Sequence, residues 1–150
     1  MYLGIDLGTS GVKVIILNDE DTLIAQASAS LDVSIPQPLW SEQNPQHWWK
    51  ATNDAIAELK AKHPEALAAV QAVGLSGQMH GATLLDQNNE IIRPAILWND
   101  GRSAAQCAEI EKREPNSRRI TGNIAMPGFT APKLLWVEQN EPELFARISK

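Results

Sequence analysis

Asp6 lies near the start of the chain within Gly4-Ile-Asp-Leu-Gly-Thr-Ser-Gly11, so that glycines fall at 4, 8 and 11 around one carboxylate. A carboxylate followed by small hydroxyl-bearing residues suits a phosphate group and its metal. Gly8 and Gly11 let the backbone approach an anion closely. Successive amide N–H groups in such a turn form an anion nest, and Thr9 and Ser10 add hydroxyl donors. Asp6 can hold a hydrated Mg²⁺, which takes one or two carboxylates plus waters, and Lys13 can return a positive charge to the same place. Two other glycine signatures fail. The dinucleotide motif and the Walker loop each open a helix, whereas Val12–Leu17 is rich in β-branched residues and reads as a strand. A plain hairpin would also explain the glycines. Against it stands Asp6, because a carboxylate inside an apolar strand is costly without a partner or metal.

A second group of residues suits a polyol. Gln78 and His80, in Gly77-Gln-Met-His-Gly81, offer several donors and acceptors. Met79 and Trp98 supply apolar surface for sugar C–H groups. Asn99 and Asp100 follow a short apolar run, where α/β proteins bind ligands. Other residues of the same types read as structural. His47 and His63 fit solvated helix positions, Trp48 and Trp49 fit packing, and Trp136 fits a core. Arg102 fits a salt bridge or a helix start better than a phosphate contact. The run Glu109–Glu114 fits a solvated helix face.

The elements that must position these residues follow from periodicity. Tyr2–Leu7, Val12–Leu17 and Thr22–Leu31 alternate at period two and are joined by tight turns, which predicts an antiparallel meander. Residues 32–44 hold Pro36 and Pro38 and read as a loop. Asn44-Pro45 is a strong helix start, and Trp49, Thr52, Ile56 and Leu59 recur at helical spacing to about Lys62. Val70–Ser76 reads as a buried strand, Ala82–Asp86 as another, and Ala95–Trp98 as a short one. Ser103–Arg113 reads as a helix in which Cys107, among alanines, is a buried thiol. Thr130 can cap a helix carrying Leu134, Leu135 and Val137, and Pro142 starts one more. The order predicts a mixed α/β fold with layers three deep.

Composition narrows the classes. The 150 residues are 43% hydrophobic and 21% charged, the balance of a globular domain. The net charge of −5 comes with no Lys/Arg run, so no nucleic-acid partner is expected. The N-terminus has no signal-peptide pattern and no apolar run nears the ~20 residues of a membrane span. One cysteine permits no intrachain disulfide, and a reducing, cytoplasmic setting is expected.

Gly4-Ile-Asp-Leu-Gly-Thr-Ser-Gly-Val-Lys13 resembles the phosphate segment of the sugar kinase/Hsp70/actin superfamily. Leu39-Trp-Ser-Glu-Gln43, Gly74-Leu-Ser-Gly-Gln-Met-His-Gly81, Ala95-Ile-Leu-Trp-Asn-Asp-Gly-Arg102 and Gly128-Phe-Thr-Ala-Pro-Lys133 resemble the FGGY carbohydrate kinases, and the xylulokinases among them most. The resemblance covers essentially the whole chain. It implies an α/β fold of the ribonuclease H-like, actin-like ATPase type, a mixed sheet with an antiparallel β-meander and flanking helices. It implies ATP and Mg²⁺ as cofactors and D-xylulose, or another ketopentose such as ribulose, as substrate. It carries phosphate contact onto Gly8, Thr9, Ser10, Gly11 and Lys13, and a metal-linked catalytic role onto Asp6. Sugar contact falls on Met79 and His80, then on Gln78, Trp98 and Asp100. A homodimer is compatible with it. The family's catalytic Asp and adenosine-binding glycine motif are not found here, and the chain breaks off in a helical pattern. Residues 1–150 are therefore read as an incomplete N-terminal actin-like domain, inactive without a C-terminal ATPase domain, with a non-catalytic sugar- or phosphate-binding lobe and an Hsp70-type ATPase lobe as the alternatives.

Overall fold

The computed structural model describes residues 1–150. They divide into two compact units, Met1–Val33 with Gln46–Gln78, and Ser34–Pro45 with Met79–Lys150.

In the first unit the strands β1 (Tyr2–Leu7), β2 (Gly11–Leu17) and β3 (Leu23–Ser30) form the expected antiparallel meander. With β4 the short strand Glu42–Gln43 of the second unit, the next helices are α1 (Pro45–Lys62) and α2 (Pro64–Ala68). They carry the chain across to β5 (Ala72–Gly77), which pairs with β1 in parallel, and the sheet order is β3-β2-β1-β5. Leu3, Val12, Val14, Ile16, Ala25 and Ala27 point to one face and pack on Ala51, Ala55 and Leu59 of α1. Burying each Val, Leu or Ile there contributes about 1.5–3 kcal/mol. The small Ala51 and Ala55 let the helix lie close to the sheet. The buried stripe of α1 is thus Ala51, Ala55 and Leu59 flanked by Trp48, whereas Trp49 is 71% exposed and does not pack as its spacing suggested.

Two expectations fail in this unit. The sheet has a helix layer on one face only, so the predicted three layers are two here; on the other face Asp6, Lys13, Gln26 and Ser28 are exposed. And β5 is not buried: it is the edge strand, all six residues are exposed, and Leu75 stands 80% exposed. Its apolar run has the composition of a strand covered on both faces, and in this chain nothing covers it.

The second unit is mostly loop and helix. β4 pairs antiparallel with β6 (Ala95–Ile96). The helices are α3 (Ala104–Arg113), α4 (Ser117–Thr121), α5 (Thr130–Asn140) and α6 (Pro142–Phe145). Ala82–Asp86 is not a strand; it makes single bridges, Ala82 to Ile96 and Leu85 to Ile91. Asp86 turns the chain instead, its carboxylate accepting from the amides of Asn88 and Glu90. Ala82, Leu84, Ile96 and Val137 make the small core, with Trp136 packed against it as expected. Cys107 lies on α3 half-buried, and burial pushes its thiol up from the ordinary value.

Candidate functional site

The ladder between β1, β2 and β5 places the first group of candidates. Asp6 is paired with Lys13 across the antiparallel strand and with Ser76 across the parallel one. Residues opposite one another in a sheet share a face, so these three side chains form a row on the uncovered side. They line a shallow cavity of about 280 Å³ with Gly4, Gly74 and Ile15. Asp6 and Lys13 are both exposed. The cost of a carboxylate buried in an apolar strand therefore does not arise, and Asp6 stands instead in an open row with Lys13 and Ser76.

The turn after β1 differs from the nest its glycines suggested. An anion nest needs a residue in the left-handed region, and none lies between 4 and 13. The Gly8 amide donates to the Gly11 carbonyl at 3.0 Å. Gly11 is required by crowding: a Cβ there would sit 2.8 Å from the Ala29 carbonyl oxygen of β3. The Thr9 hydroxyl donates to the Gln78 carboxamide oxygen at 3.1 Å, and the Gln78 amide donates to the Leu7 carbonyl at 2.8 Å. Gln78 thus belongs structurally with the turn after β1. Ser10 is exposed beside it.

No group of three or more His, Cys, Asp or Glu side chains could cage a metal. A single open carboxylate fits Mg²⁺, which keeps most of its waters and is shared with substrate phosphates. Asp6 is the residue that meets that description.

The second unit brings the sugar candidates together through loops. His80 has φ 61°, a conformation that costs a non-glycine residue of order 1 kcal/mol or more. Its imidazole is exposed and leans on Phe129, with ring centroids 4.9 Å apart. Met79 is 66% and Trp98 50% exposed, large apolar groups left in water on two segments that the Ala82–Ile96 bridge joins. The loop at Gly128 lies close against Trp98: a Cβ on Gly128 would stand 2.7 Å from the Trp98 carbonyl oxygen. Beside His80 opens a mainly apolar cavity of about 350 Å³, walled by Ile110, Ile124, Phe129 and Pro132.

Asp100 is placed differently from its companions. Its side chain is fully buried, and its oxygens accept from the Ser41 amide at 2.6 Å and from the Arg102 amide and guanidinium at 2.8–3.1 Å. Arg102 makes the salt bridge anticipated for it. It also pairs with Glu42 at 2.7 Å and lies 3.7 Å over the Trp40 ring, with Trp136 at 5.0 Å. Glu42 in turn bonds Arg93, whose guanidinium burial pulls down from its ordinary value. Such forked, stacked contacts are what guanidinium does and ammonium does not. The Asp100 carboxylate holds the Trp98–Arg102 turn and has no face open to a ligand.

Two residues were not anticipated. Thr130 is the first residue of α5 and does not cap it. Its hydroxyl donates to the His80 carbonyl at 3.3 Å. Lys133 is fully buried, and its ammonium donates to the His80 carbonyl at 2.7 Å and the Gly128 carbonyl at 2.8 Å. Burial lowers its pKa to about 8, against the pull of Asp100 and with a push from Arg102. The signal available in the sequence was a lone charge inside the apolar run Pro132-Lys-Leu-Leu135.

Residues 1–150, which carry the Asp6–Lys13–Ser76 row and the loops of His80 and Trp98, match the N-terminal domain of the FGGY family of carbohydrate kinases, and the chain belongs to that family. It is 59% identical over 150 residues to the xylulose kinase of Escherichia coli K12 and 54% identical to that of Klebsiella pneumoniae, covering 100% of this chain and 31% of each relative. A solved "xyloylose kinase" from Brucella ovis is 54% identical, with a TM-score of 0.96 over 99% of this chain and 31% of that one. The fold is that of the actin-like ATPase sugar kinases, and the mixed sheet with its meander and flanking helices is as expected. The chain spans just under a third of the length of these relatives, 31%. No helix in it is long and apolar enough to cross a membrane.

Proposed function

We propose that residues 1–150 form the N-terminal part of a kinase that converts ATP and D-xylulose to ADP and D-xylulose 5-phosphate. The observation that carries this reading is 59% identity, along the whole chain, to a protein named xylulose kinase. The exposed Asp6–Lys13–Ser76 row and the exposed Met79, His80 and Trp98 support it.

Phosphoryl transfer needs positioned substrates, charge neutralisation and a group that takes the hydroxyl proton. Asp6 would hold Mg²⁺, which supplies neutralisation of charge on the phosphoryl oxygens. Lys13, in register with Asp6, adds positive charge on the same face, and Gly8, Thr9, Ser10 and Gly11 present the turn to the phosphates. Met79 and His80 contact the ketose, with Trp98 as apolar wall. Gln78 acts from the phosphate turn, and Asp100 acts by holding the Trp98 loop. The proton acceptor and the adenosine site come from a second actin-like domain outside residues 1–150.

The test is a coupled assay with D-xylulose and with D-ribulose, on the full-length protein and on residues 1–150 alone. The full-length protein is expected to turn over with the higher kcat/KM for D-xylulose, and the isolated residues are expected to be silent. Turnover by residues 1–150 would sink the assignment of the base to another domain. A higher kcat/KM for D-ribulose would replace the ketose.

A further inference from the structure

Lys133 has a location that phosphate or sugar contact does not explain. Its side chain is fully buried, yet it carries an ammonium, a group rarely enclosed without strong partners. Its partners are two backbone carbonyls, His80 at 2.7 Å and Gly128 at 2.8 Å. Both are informative. His80 holds the left-handed conformation, φ 61°, that a β-carbon disfavours. A strained residue persists only where surrounding groups over-determine it. Here the Lys133 ammonium and the Thr130 hydroxyl converge on the same carbonyl oxygen. Gly128 is the residue whose lack of a side chain lets the 127–129 loop lie against the Trp98 carbonyl. The Pro127 carbonyl just before it accepts from the buried Ser103 hydroxyl at 3.2 Å, so this loop is pinned on both sides. Phe129, between Gly128 and Thr130, is the ring on which the His80 imidazole leans.

We propose that Lys133, with Thr130, is a positioning residue of the sugar site: it clasps the His80 carbonyl to fix the left-handed turn that aims the imidazole, and through the Gly128 carbonyl it ties that turn to the backbone beside Trp98. This rests on the reading of His80 as a ketose contact. Lys133 touches neither substrate. Its effect is geometric, since a small misplacement of a positioning group is costly in binding and catalysis.

The experiment uses the full-length protein with D-xylulose and ATP as the varied substrates. Lys133→Met keeps the apolar stem and removes the donor. It is expected to raise KM for D-xylulose by about tenfold, with kcat and the KM for ATP within about twofold. Added to His80→Ala it is expected to change KM little further, because residues acting through one group are not additive. Thr130→Val, which removes one of the two donors at near-constant shape, is expected to raise the same KM by roughly threefold, and Thr130→Ser to restore most of that loss. An unchanged KM in Lys133→Met, or full additivity with His80→Ala, overturns the proposal while leaving His80 as a ketose contact. If His80→Ala itself leaves KM unchanged, the sugar-site reading fails and the proposal falls with it. If Lys133→Met does not fold, as judged by circular dichroism, the Thr130 pair decides: Thr130→Val with unchanged KM overturns the proposal.

Discussion

At Asp6 a regular ladder places Asp6, Lys13 and Ser76, and their side chains stay in water. At His80 the backbone is irregular, and buried ions hold it. The Asp6 row needs no side chain to position another: the pairing of Asp6 with Lys13 and Ser76 is a property of strand register. His80 and Trp98 depend on Lys133, Arg102 and Asp100, all enclosed and all bonded to backbone or to one another. The difference follows from what each region can bury. The first unit has a sheet face of Val12, Val14 and Ile16 on a helix, whereas the second has a smaller apolar cluster, Ala82, Leu84, Ile96 and Val137, and buries Glu42, Arg93, Asp100 and Lys133 as well. Charge-assisted hydrogen bonds to carbonyls do there what a ladder does elsewhere, at the cost of desolvating ions.

That contrast can be broken from either side. Asp6→Ala should leave stability within about 0.5 kcal/mol, since the residue is exposed, while kcat of the full-length protein falls by about 10⁴-fold. Near-normal kcat in the coupled assay would remove the metal role. Asp100→Ala should do the reverse. It strands the buried Arg102 cation, and a loss of about 4 kcal/mol is expected in denaturant unfolding followed by tryptophan fluorescence. A loss under about 1 kcal/mol would show that the ion cluster is not what holds this region.

Lys133 sharpens the comparison through pH. Its folded pKa is about 8 against the ordinary 10.5. Between those values the unfolded chain keeps a proton that the folded chain has shed, so stability rises with pH across that window. The gain amounts to roughly 3 kcal/mol, present in full above pH 10.5 and lost as pH falls through 8. Unfolding midpoints measured from pH 7.5 to 10.5 should show the rise, and Lys133→Met should flatten it. The smallest effect belongs to the surface of α1. Lys50→Ala breaks an exposed pair with Asp54 and should shift stability by no more than about 0.5 kcal/mol.

The meander, the helix start at Asn44-Pro45 and the alignment of Asp6 with Lys13 were legible because each depends on neighbours in sequence: alternation, a turn, a cap. The exposure of β5 was not legible. Val73-Gly-Leu75 is apolar whether or not something covers it, and the covering elements are a matter of what else is present. Nor was the placement of Trp49. Ile56 and Leu59 of the expected stripe do meet the core, but apolar spacing could not put Ala51 and Ala55 there in place of Trp49 until the sheet presented a surface that small side chains fit.

The sequence by itself determined the family and the meander and nominated the residues for phosphate and sugar contact, since motifs and period-two patterns are written in consecutive positions. Only the tertiary structure decided what those residues touch. It showed that Gly11 must also make room for β3, set the Asp100 carboxylate in a buried ion pair, and gave Lys133 the His80 carbonyl. Each of those roles depends on atoms 18 to 59 positions apart along the chain, Ala29 from Gly11, Ser41 from Asp100 and His80 from Lys133, brought together by folding alone.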